Sequence, residues 1–379
     1  MSTGNVAKSL LLLALAFSAA QPLEARRYRV LHTFKNDITG GYPGPLILDP
    51  AGNLLGTTAS GGTLFTGTVF RLAKDGAFTT IYTFPGVPNG VDPSGALLLD
   101  GTGDIYGTTT YGGSAAYCGT VYKLESTGVE TVFYSFAGSP DAANPYEGVV
   151  RDPAGNLFGT TTYGGTVDAG TVFKVDPAGN ETVLYSFGNS PAGQYPQGPV
   201  ILDSAGNLYG AVQDGAAGGS VFKIDSTGNF AVLYTFKGVP DGSTPSGALV
   251  QDRVGNLYGT TYLGGAFGLG TIFQLDKHGR ETVLHSFAGG RDGANPLGGV
   301  IRDSSGDLYG TTLGGGISDL GTIYKLDKTG HETILHSFTG GARGEAPGVG
   351  VVRDSVGNLY GTTNRGGTYG LGIVFVLTP

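Results

Sequence analysis

A seven-residue motif that returns every 49 to 52 residues constrains this chain more than any other feature. GNLYGTT stands at Gly255–Thr261 and again at Gly357–Thr363, and variants begin at Gly52, Gly103, Gly155, Gly206 and Gly306. Successive starts differ by 51, 52, 51, 49, 51 and 51 residues. Such a period indicates a repeat architecture, in which each copy builds one structural unit and neighbouring copies bury a common core.

Each repeat predicts four short β-strands. In residues 299–338 the runs GVIRD, DLYGTT, TIYKLD and TILHSF are rich in β-formers and alternate with turns or a longer loop. Although 70 of the 379 residues are glycine, 40% are hydrophobic, which is enough to form a core. An isolated sheet cannot cover both of its faces, so the copies must pack together. The sequence therefore predicts an all-β fold, a β-propeller with four antiparallel strands per blade.

The two ends of the repeat array predict the number of blades. RVLHTF at Arg29–Phe34 matches the fourth strand of the other repeats, whereas GIVFVL at Gly372–Leu377 matches a third strand. These partial units add up to one complete blade. We therefore expect seven blades, the last of which is closed by the N-terminal strand.

The repeated motif also predicts its own turn chemistry. An aspartate precedes each motif glycine by three residues, as Asp203 precedes Gly206 and Asp303 precedes Gly306. Its carboxylate can accept backbone N–H groups while the glycine takes a positive φ. The inner glycine, such as Gly259 or Gly361, falls within a strand, where it costs stability relative to alanine. It therefore indicates the close approach of a neighbouring backbone or aromatic ring.

The N-terminal segment predicts export. Lys8 precedes the apolar run Leu10–Ala20, which is too short to span a bilayer and ends in small residues, as signal peptides do. We expect a signal peptide at residues 1–20, with cleavage after Ala20 or alternatively after Ala25, and a propeller at residues 26–379. The mature protein would be secreted or periplasmic, have no membrane span and be a monomer. Its net charge of −8, without basic clusters, disfavours nucleic acid as a partner.

The tandem motif resembles the Gloeo/Verruco repeat family of exported bacterial proteins. The residues that carry the resemblance are DxxGNLYGTT, the following GG and GT[VI][FY]K[LVI]D, as in Asp252–Thr261, Gly264-Gly265 and Gly270–Asp276. The resemblance covers nearly everything after the predicted signal peptide and implies a propeller-like exported protein. A weaker resemblance, through DxxGNLY, links the chain to the NHL, gluconolactonase and streptogramin-lyase propellers.

Sequence motifs for catalysis, cofactors or metals are not found. His32, His285 and His336 occupy a fourth-strand position that is tyrosine in other repeats, so we expect them to have a packing role, and His278 and His331 lie in short turns. The sequence contains no GxSxG, HExxH, P-loop or CxxC motif. We therefore expect no cofactor and no metal site.

The strand directions place the two longer connections of every repeat on one face, here called the long-loop face. Loops carry binding residues more often than the scaffold does. We call the residue before each loop proline a rim position; these residues are Tyr42, Asp92, Asn144, Tyr195, Thr244, Asn295 and Ala346. Tyrosine, amide and carboxylate groups suit a sugar or a peptide, so we predict a ligand site at Tyr42, Asp92, Asn144, Tyr195 and Asn295.

Three functions remain open from the sequence. The first is an exported, cofactor-free binding module that recognises a glycan or a protein by its long-loop face. The second is a cofactor-free lyase or glycoside hydrolase that uses acidic residues of this face, for which the candidates are Asp92, Asp141, Glu147, Asp241 and Asp292. The third is a purely structural role at the cell surface. For the rim itself, the alternative is that it is hydrated and holds no ligand. The fourth repeat, with Ala211-Val212 in place of Thr-Thr, is the least regular. If both positions are half-exposed, we expect that restoring the threonines changes stability by no more than about 1 kcal/mol.

Overall fold

Seven four-stranded antiparallel sheets form the blades of a seven-bladed β-propeller, which confirms the predicted fold class. The computed structural model describes residues 27–35, 37–115, 117–188, 192–213 and 218–379. The predicted signal peptide and its cleavage sites lie outside the described residues. No helix in the described ranges is both long and apolar enough to cross a membrane.

Every blade consists of four strands that run outward from the central axis in chain order, except that blade 7 takes its outermost strand from the N-terminus. Blades 1 to 3 comprise, in turn, Gly41–Leu48, Leu54–Ser60, Thr68–Leu72 and Phe78–Thr83; Leu98–Leu99, Ile105–Thr109, Thr120–Leu124 and Glu130–Ser135; Val150–Arg151, Leu157–Thr161, Thr171–Val175 and Glu181–Ser186. Blades 4 and 5 comprise Ile201–Leu202, Leu208–Val212, Ser220–Ile224 and Phe230–Thr235; Gly242–Gln251, Leu257–Gly264, Thr271–Leu275 and Glu281–Ser286. Blades 6 and 7 comprise Ile301–Arg302, Leu308–Thr312, Thr322–Leu326 and Glu332–Ser337; Val352–Arg353, Leu359–Thr363, Ile373–Thr378 and Arg27–Thr33.

Two small elements belong to the loops of the long-loop face. Ala142–Ala143 pairs with Tyr163–Gly164 in a two-stranded ribbon. Gly341–Arg343 forms one turn of 3₁₀-helix before the loop proline of blade 7.

The N-terminal strand completes blade 7, as the sequence predicts. Arg27–Thr33 pairs antiparallel with Ile373–Thr378, so that Arg27 lies opposite Thr378 and Thr33 opposite Ile373. The next residue, Phe34, donates its N–H to the carbonyl oxygen of Gly372 at 3.1 Å. Phe34 is fully buried in a core cluster shared with blade 1. The ring is therefore closed by strand pairing as well as by apolar contact.

The hydrophobic core lies between neighbouring blades. Phe136 at the end of blade 2, for example, meets Phe173 of blade 3 with ring centroids 5.0 Å apart, and both side chains are fully buried. Equivalent clusters occur at all seven junctions. Because each cluster takes side chains from two blades, a single blade cannot bury its own core.

The inner motif glycine leaves room for an aromatic ring, which confirms the expected close approach. A Cβ added to Gly159 would lie 2.7 Å from Cζ of Phe173 on the adjacent strand, too near for a real contact. The same pairing recurs in every blade, at Gly56 with Phe70, Gly107 with Tyr122, Gly210 with Phe222, Gly259 with Phe273, Gly310 with Tyr324 and Gly361 with Phe375.

The DxxG turns have the predicted chemistry. The Asp203 carboxylate accepts the N–H groups of Ala205 and Asn207, each at 2.9 Å, and Gly206 takes a φ of 82°. These bonds close the short hairpins on the face opposite the long loops.

The irregular fourth repeat corrects one expectation. Ala211 and Val212 are buried, with 3% and 0% exposure, because their strand lies inside the blade stack. In a regular blade the first threonine bonds to the next blade, as Thr160 does to the carbonyl oxygen of Gly198 at 3.0 Å. Blade 4 lacks this bond because Ala211 has no hydroxyl.

Candidate functional site

All seven rim positions adopt the left-handed backbone conformation. Their φ values lie between 53° and 61°, although none of the seven is glycine. Each N–H donates to a carbonyl of the preceding blade at 2.6–3.0 Å, as Tyr195 does to Ala169 at 2.9 Å. The backbone at this position is therefore fixed by the junction between blades, while the side chain is free to vary.

The side chains of the five predicted site residues have different surroundings. The Asn144 amide donates to the carbonyl oxygens of Thr110 and Tyr117, and Asn295 donates to Tyr262, so both amides bind the preceding blade. Tyr42 is 48% exposed, whereas Asp92 and Tyr195 are half-buried. None of the five lines the central cavity described below.

A cavity of about 480 Å³ lies in the central channel, at its long-loop end. All seven blades contribute to its lining, mainly through the three residues that follow each loop proline. The described residues that line it are Pro45, Leu46, Ala96, Tyr146, Glu147, Thr162, Tyr163, Gln197, Pro199, Gln213, Ser246, Gly247, Ala248, Leu297, Gly298, Gly299, Val300, Ile301, Gly348, Val349, Gly350, Val351 and Val352.

The lining divides into two unlike walls. The wall from blades 3 and 4, here called the polar wall, consists of Tyr146, Glu147, Thr162, Tyr163, Gln197 and Gln213. Blades 5 to 7 and blade 1 contribute mostly glycine and aliphatic residues, such as Leu297, Gly298 and Val349. The propeller scaffold is nearly sevenfold, so this asymmetry belongs to the side chains and not to the fold.

Glu147 occupies a position that is glycine in blades 2, 4, 5 and 6. The equivalent residues are Gly95, Gly198, Gly247 and Gly298. The backbone role is preserved, since the Thr108 hydroxyl donates to the carbonyl oxygen of Glu147 at 2.8 Å, as Thr160 does to Gly198. Glu147 therefore keeps the backbone contact of the equivalent glycines but adds a carboxyl side chain to the lining of the cavity.

Burial controls the charge of Glu147. Glu147 is half-buried in the cavity lining, and partial removal from water raises the pKa of this carboxyl to about 8, since desolvation penalises the charged form. Among the described residues that line the cavity there is no lysine, arginine or histidine to compensate. No hydrogen bond or ion pair joins the carboxyl to another described side chain. Glu147 is consequently a neutral acid at pH 7, able to donate as well as accept a hydrogen bond.

Tyrosines surround the polar wall at the cavity mouth. The neighbouring Tyr111 hydroxyl, together with burial and the Asp92 charge, raises the pKa of Tyr146. Burial in turn raises the pKa of Asp92 to about 6, and its Oδ1 has no hydrogen-bond partner in the described ranges. Tyr163 makes an edge contact with Tyr195, with centroids 5.6 Å apart. Two predicted rim residues, Asp92 and Tyr195, therefore adjoin tyrosines of the polar wall.

Three of the acidic candidates belong to the outer edge of the blades. Asp141 accepts the Tyr134 hydroxyl at 3.1 Å and the N–H of Ala137 at 2.8 Å. Asp241 and Asp292 do the same, Asp241 with Tyr234 and Lys237, and Asp292 with His285 and Ala288. These aspartates tie a loop to a fourth strand and do not line the cavity. Of the five acidic candidates, Asp92 and Glu147 remain near it.

The fourth-strand histidines pack as predicted. His32 stacks on Phe78 at 3.8 Å and His336 on Tyr28 at 3.9 Å, and burial lowers the pKa of both histidines to about 4. His278 and His331 lie in turns closed by Asp276 and Asp327. Within the described ranges, no group of three or more His, Cys, Asp or Glu residues could hold a metal ion.

Sequence reasoning missed the binding potential of Tyr146, Tyr163, Gln197 and Gln213. A signal for two of them was present: the position directly after the loop proline is Gly44, Ser94, Ser246 or Gly348 in four blades, but Tyr146 and Gln197 in blades 3 and 4. Blade 6 has the apolar Leu297 at this position, so a large polar residue there marks the two blades that form the polar wall.

Solved structures with the same fold have little sequence in common with this chain. The extracellular domain of a one component system from B. thetaiotaomicron has a TM-score of 0.58 at 14% identity, with 93% of this chain and 42% of that chain covered. Puromycin hydrolase has a TM-score of 0.58 at 13% identity, with 87% of this chain and 52% of that chain covered. The chain thus spans about half the length of these two proteins or less, and at such identities the similarity concerns the fold.

The sequence comparisons place the chain in a repeat family. No curated protein matches the chain significantly. The Gloeobacter/Verrucomicrobia repeat, in contrast, matches residues 21–217 and 188–375, which cover nearly all of the propeller. This match agrees with the recurrent DxxGNLYGTT hairpin and with the seven blades that it builds. The chain belongs to the Gloeobacter/Verrucomicrobia repeat family.

Proposed function

We propose that this protein is an exported, cofactor-free binding propeller that recognises an extracellular glycan in its central cavity. The asymmetry of the cavity lining supports this proposal most strongly. Repetition explains the glycines and aliphatic residues of blades 5 to 7, but it does not explain the polar wall. Polar and aromatic groups that converge on one side of a concave apolar site are typical of ligand pockets.

The chemistry of the polar wall favours a sugar. Tyr146 and Tyr163 offer aromatic faces on which the apolar face of a sugar ring can stack. Gln197 and Glu147 can satisfy hydroxyl groups, which are costly to bury without partners. A pocket of about 480 Å³ accommodates the end or a short section of a glycan chain. A protein ligand would insert a loop tip at the same place and is the alternative partner.

The predicted rim residues extend this site outward. Asp92 and Tyr195 adjoin the tyrosines at the mouth, and we propose that they contact the part of the ligand that leaves the cavity. Tyr42, Asn144 and Asn295 remain predicted contributors on the same rim. The amides of Asn144 and Asn295 already donate hydrogen bonds to the preceding blade. These two residues would therefore support the binding site indirectly and not contact the ligand through their amides.

Export and a monomeric state complete the proposal. The predicted signal peptide at residues 1–20 supports secretion or delivery to the periplasm. One closed ring contains the complete cavity, so a second copy is not needed to form the site.

A cofactor-free enzyme is the second candidate function, for one specific reason. Asp92 and Glu147 are carboxyls of neighbouring blades whose pKa values are raised by burial to about 6 and about 8. Two carboxyls held at different protonation states can serve as general base and general acid in glycoside hydrolysis or a lyase reaction.

A binding screen with matched variants tests both candidates. The mature protein from Gln21, Tyr146→Ala, Glu147→Gln and Tyr369→Ala would be applied to a glycan array and to hydrolysis and lyase assays. Tyr369 is the control, because it lies on the long-loop face, is 54% exposed and does not line the cavity. Binding that is lost in Tyr146→Ala and kept in Tyr369→Ala supports the proposal. Turnover that is lost in Glu147→Gln supports the enzyme. Binding that Tyr146→Ala leaves unchanged contradicts the site.

A further inference from the structure

We infer that the cavity selects uncharged sugars and rejects acidic ones, such as uronic or sialic acids. This inference rests on the proposed function and adds a substrate class to it. Three features of the described lining residues carry the inference: none of them is cationic, one of them (Glu147) has a carboxyl, and the wall opposite that carboxyl is apolar.

The described lining residues offer no positive charge to an acidic ligand. No lysine, arginine or histidine is among them, and Asp92, whose charge acts on Tyr146, has the wrong sign to attract an anion. Burying an unpaired carboxylate is costly, and the cost increases when another carboxyl is near. The net charge of −8 adds a weak repulsion at longer range.

The carboxyl of Glu147 fits an uncharged ligand because it is itself uncharged at neutral pH. The described titratable groups that share the cavity with it are the phenols of Tyr146 and Tyr163. From the other side it faces residues without charge, such as Pro45, Gly298 and Val349. In this setting the protonated carboxyl can donate to a ring, glycosidic or carbonyl oxygen of the sugar and accept from a hydroxyl.

The wall opposite Glu147 increases the penalty for a charged ligand. Leu297 and Val349 have aliphatic side chains, and glycines such as Gly298 and Gly350 contribute no side chain. An uncharged ring can lie against such a surface at no electrostatic cost. A carboxylate turned toward the same surface would lose its hydration without replacement.

The inference also predicts that affinity for a neutral sugar falls as the pH rises. Burial raises the pKa of Glu147 to about 8, so its proton is lost when the pH rises above that value. The donor to the sugar oxygen then disappears and a buried negative charge takes its place. Affinity for a neutral sugar is therefore expected to fall between about pH 6 and about pH 9.5. The variant Glu147→Gln keeps a donor at every pH and should bind with little pH dependence.

Matched sugar pairs test the selectivity. Oligosaccharides of glucose and glucuronic acid, and of galactose and galacturonic acid, would be titrated by calorimetry into wild type, Glu147→Gln, Tyr146→Ala and Tyr369→Ala at about pH 6 and about pH 9.5. Whichever pair binds, we expect its neutral member to bind more tightly than its acidic member, by a factor on the order of ten or more. Wild type should lose affinity at the higher pH, whereas Glu147→Gln should not.

Two outcomes separate this inference from the proposed function. Equal or tighter binding of the acidic member, still abolished by Tyr146→Ala, would overturn the selectivity and leave the site in place. If Tyr146→Ala leaves binding unchanged, or if no sugar of either pair binds, both the selectivity and the cavity site are contradicted.

Discussion

Pro43 of blade 1 packs against Gly372 of blade 7, where a Cβ added to the glycine would lie 2.7 Å from Cδ of the proline. The same pair forms every other junction between blades, as Pro93 with Gly67, Pro145 with Gly119, Pro196 with Gly170, Pro245 with Gly219, Pro296 with Gly270 and Pro347 with Gly321. The first and last blades therefore meet as any two neighbours do, and closure requires no special joint.

Deleting the closing strand should destabilise the whole ring. A protein that begins after Phe34 lacks the partner of Ile373–Thr378 and the fully buried Phe34 side chain. We expect it to melt at a much lower temperature than the protein that begins at Gln21, and to aggregate through its unpaired edge. Thermal unfolding followed by circular dichroism compares the two, and equal melting temperatures would contradict strand-mediated closure.

Replacing the inner motif glycine should be costly because of its aromatic neighbour. In Gly159→Ala the new methyl would lie 2.7 Å from the Phe173 ring, which is itself fully buried and has little space to move. We expect a loss of about 1–3 kcal/mol in the free energy of unfolding. Gly101→Ala is the control, since no atom lies within 4 Å of its added Cβ. Urea unfolding of both variants measures the difference, and equal losses would argue against the steric account.

The left-handed rim position predicts opposite effects at two blades. Asn295→Ala removes a hydrogen bond of 3.0 Å to the Tyr262 carbonyl and places alanine where asparagine is better tolerated, so we expect a loss of about 1–2 kcal/mol. Ala346→Asn makes the reverse change at a φ of 53° and should gain about 0.5–1 kcal/mol. Denaturant unfolding of the two variants provides the comparison. A destabilised Ala346→Asn would show that the junction of blade 7 cannot use the amide.

Stability should decrease as the pH rises from 4.5 to about 7, and change little above that. Burial, with a smaller effect of a nearby aspartate, raises the pKa of Glu181, Glu281 and Glu332 to about 7. The folded-state pKa of these carboxyls lies above their unfolded value of 4.5. Their contribution to stability is therefore fully present below pH 4.5 and is lost as the pH rises to the folded-state pKa of about 7. The buried histidines, with their pKa lowered to about 4, act in the opposite sense but only below about pH 6.5.

The variant Glu281→Gln isolates one of these carboxyls. Its Oε1 is buried and has no hydrogen-bond partner in the described ranges. We expect the variant to be more stable than wild type at about pH 8.5, by on the order of 1 kcal/mol after allowing for solvent screening, and nearly unchanged at about pH 5. Melting temperatures at the two pH values test this. A variant that is less stable at both would show that the carboxylate makes favourable bonds when charged.

The repeat pattern was sufficient to predict the fold, because each blade is specified by local residues. Asp203 and Gly206 determine a hairpin within four positions, and the partial units at Arg29–Phe34 and Gly372–Leu377 predict the pairing that the structure contains. Burial at the fourth repeat was not predictable in the same way. Ala211 lies where blades pack against each other, and its local sequence does not reveal that contact.

The candidate site was only partly predictable. Whether a loop residue lines the cavity or contacts the preceding blade depends on the backbone conformation at the rim position. The sequence singled out the loop prolines and gave Glu147 as one of five acidic candidates, and Glu147 lines the cavity. It did not reveal that the residues after the proline, such as Tyr146, line the cavity while those before it, such as Asn144, bind the preceding blade. The raised pKa of Glu147 depends on burial in the closed ring, which the sequence of a single repeat does not reveal.

A crystal structure of the protein with the glycan that binds most tightly on the array is the most direct test of the cavity as the binding site. We predict that the sugar lies in the central channel at its long-loop end, with a ring against Tyr146 or Tyr163 and an oxygen within hydrogen-bond distance of the Glu147 carboxyl. A sugar bound on the face of the DxxG turns, or along the outer strands with the central cavity empty, would contradict the proposed site.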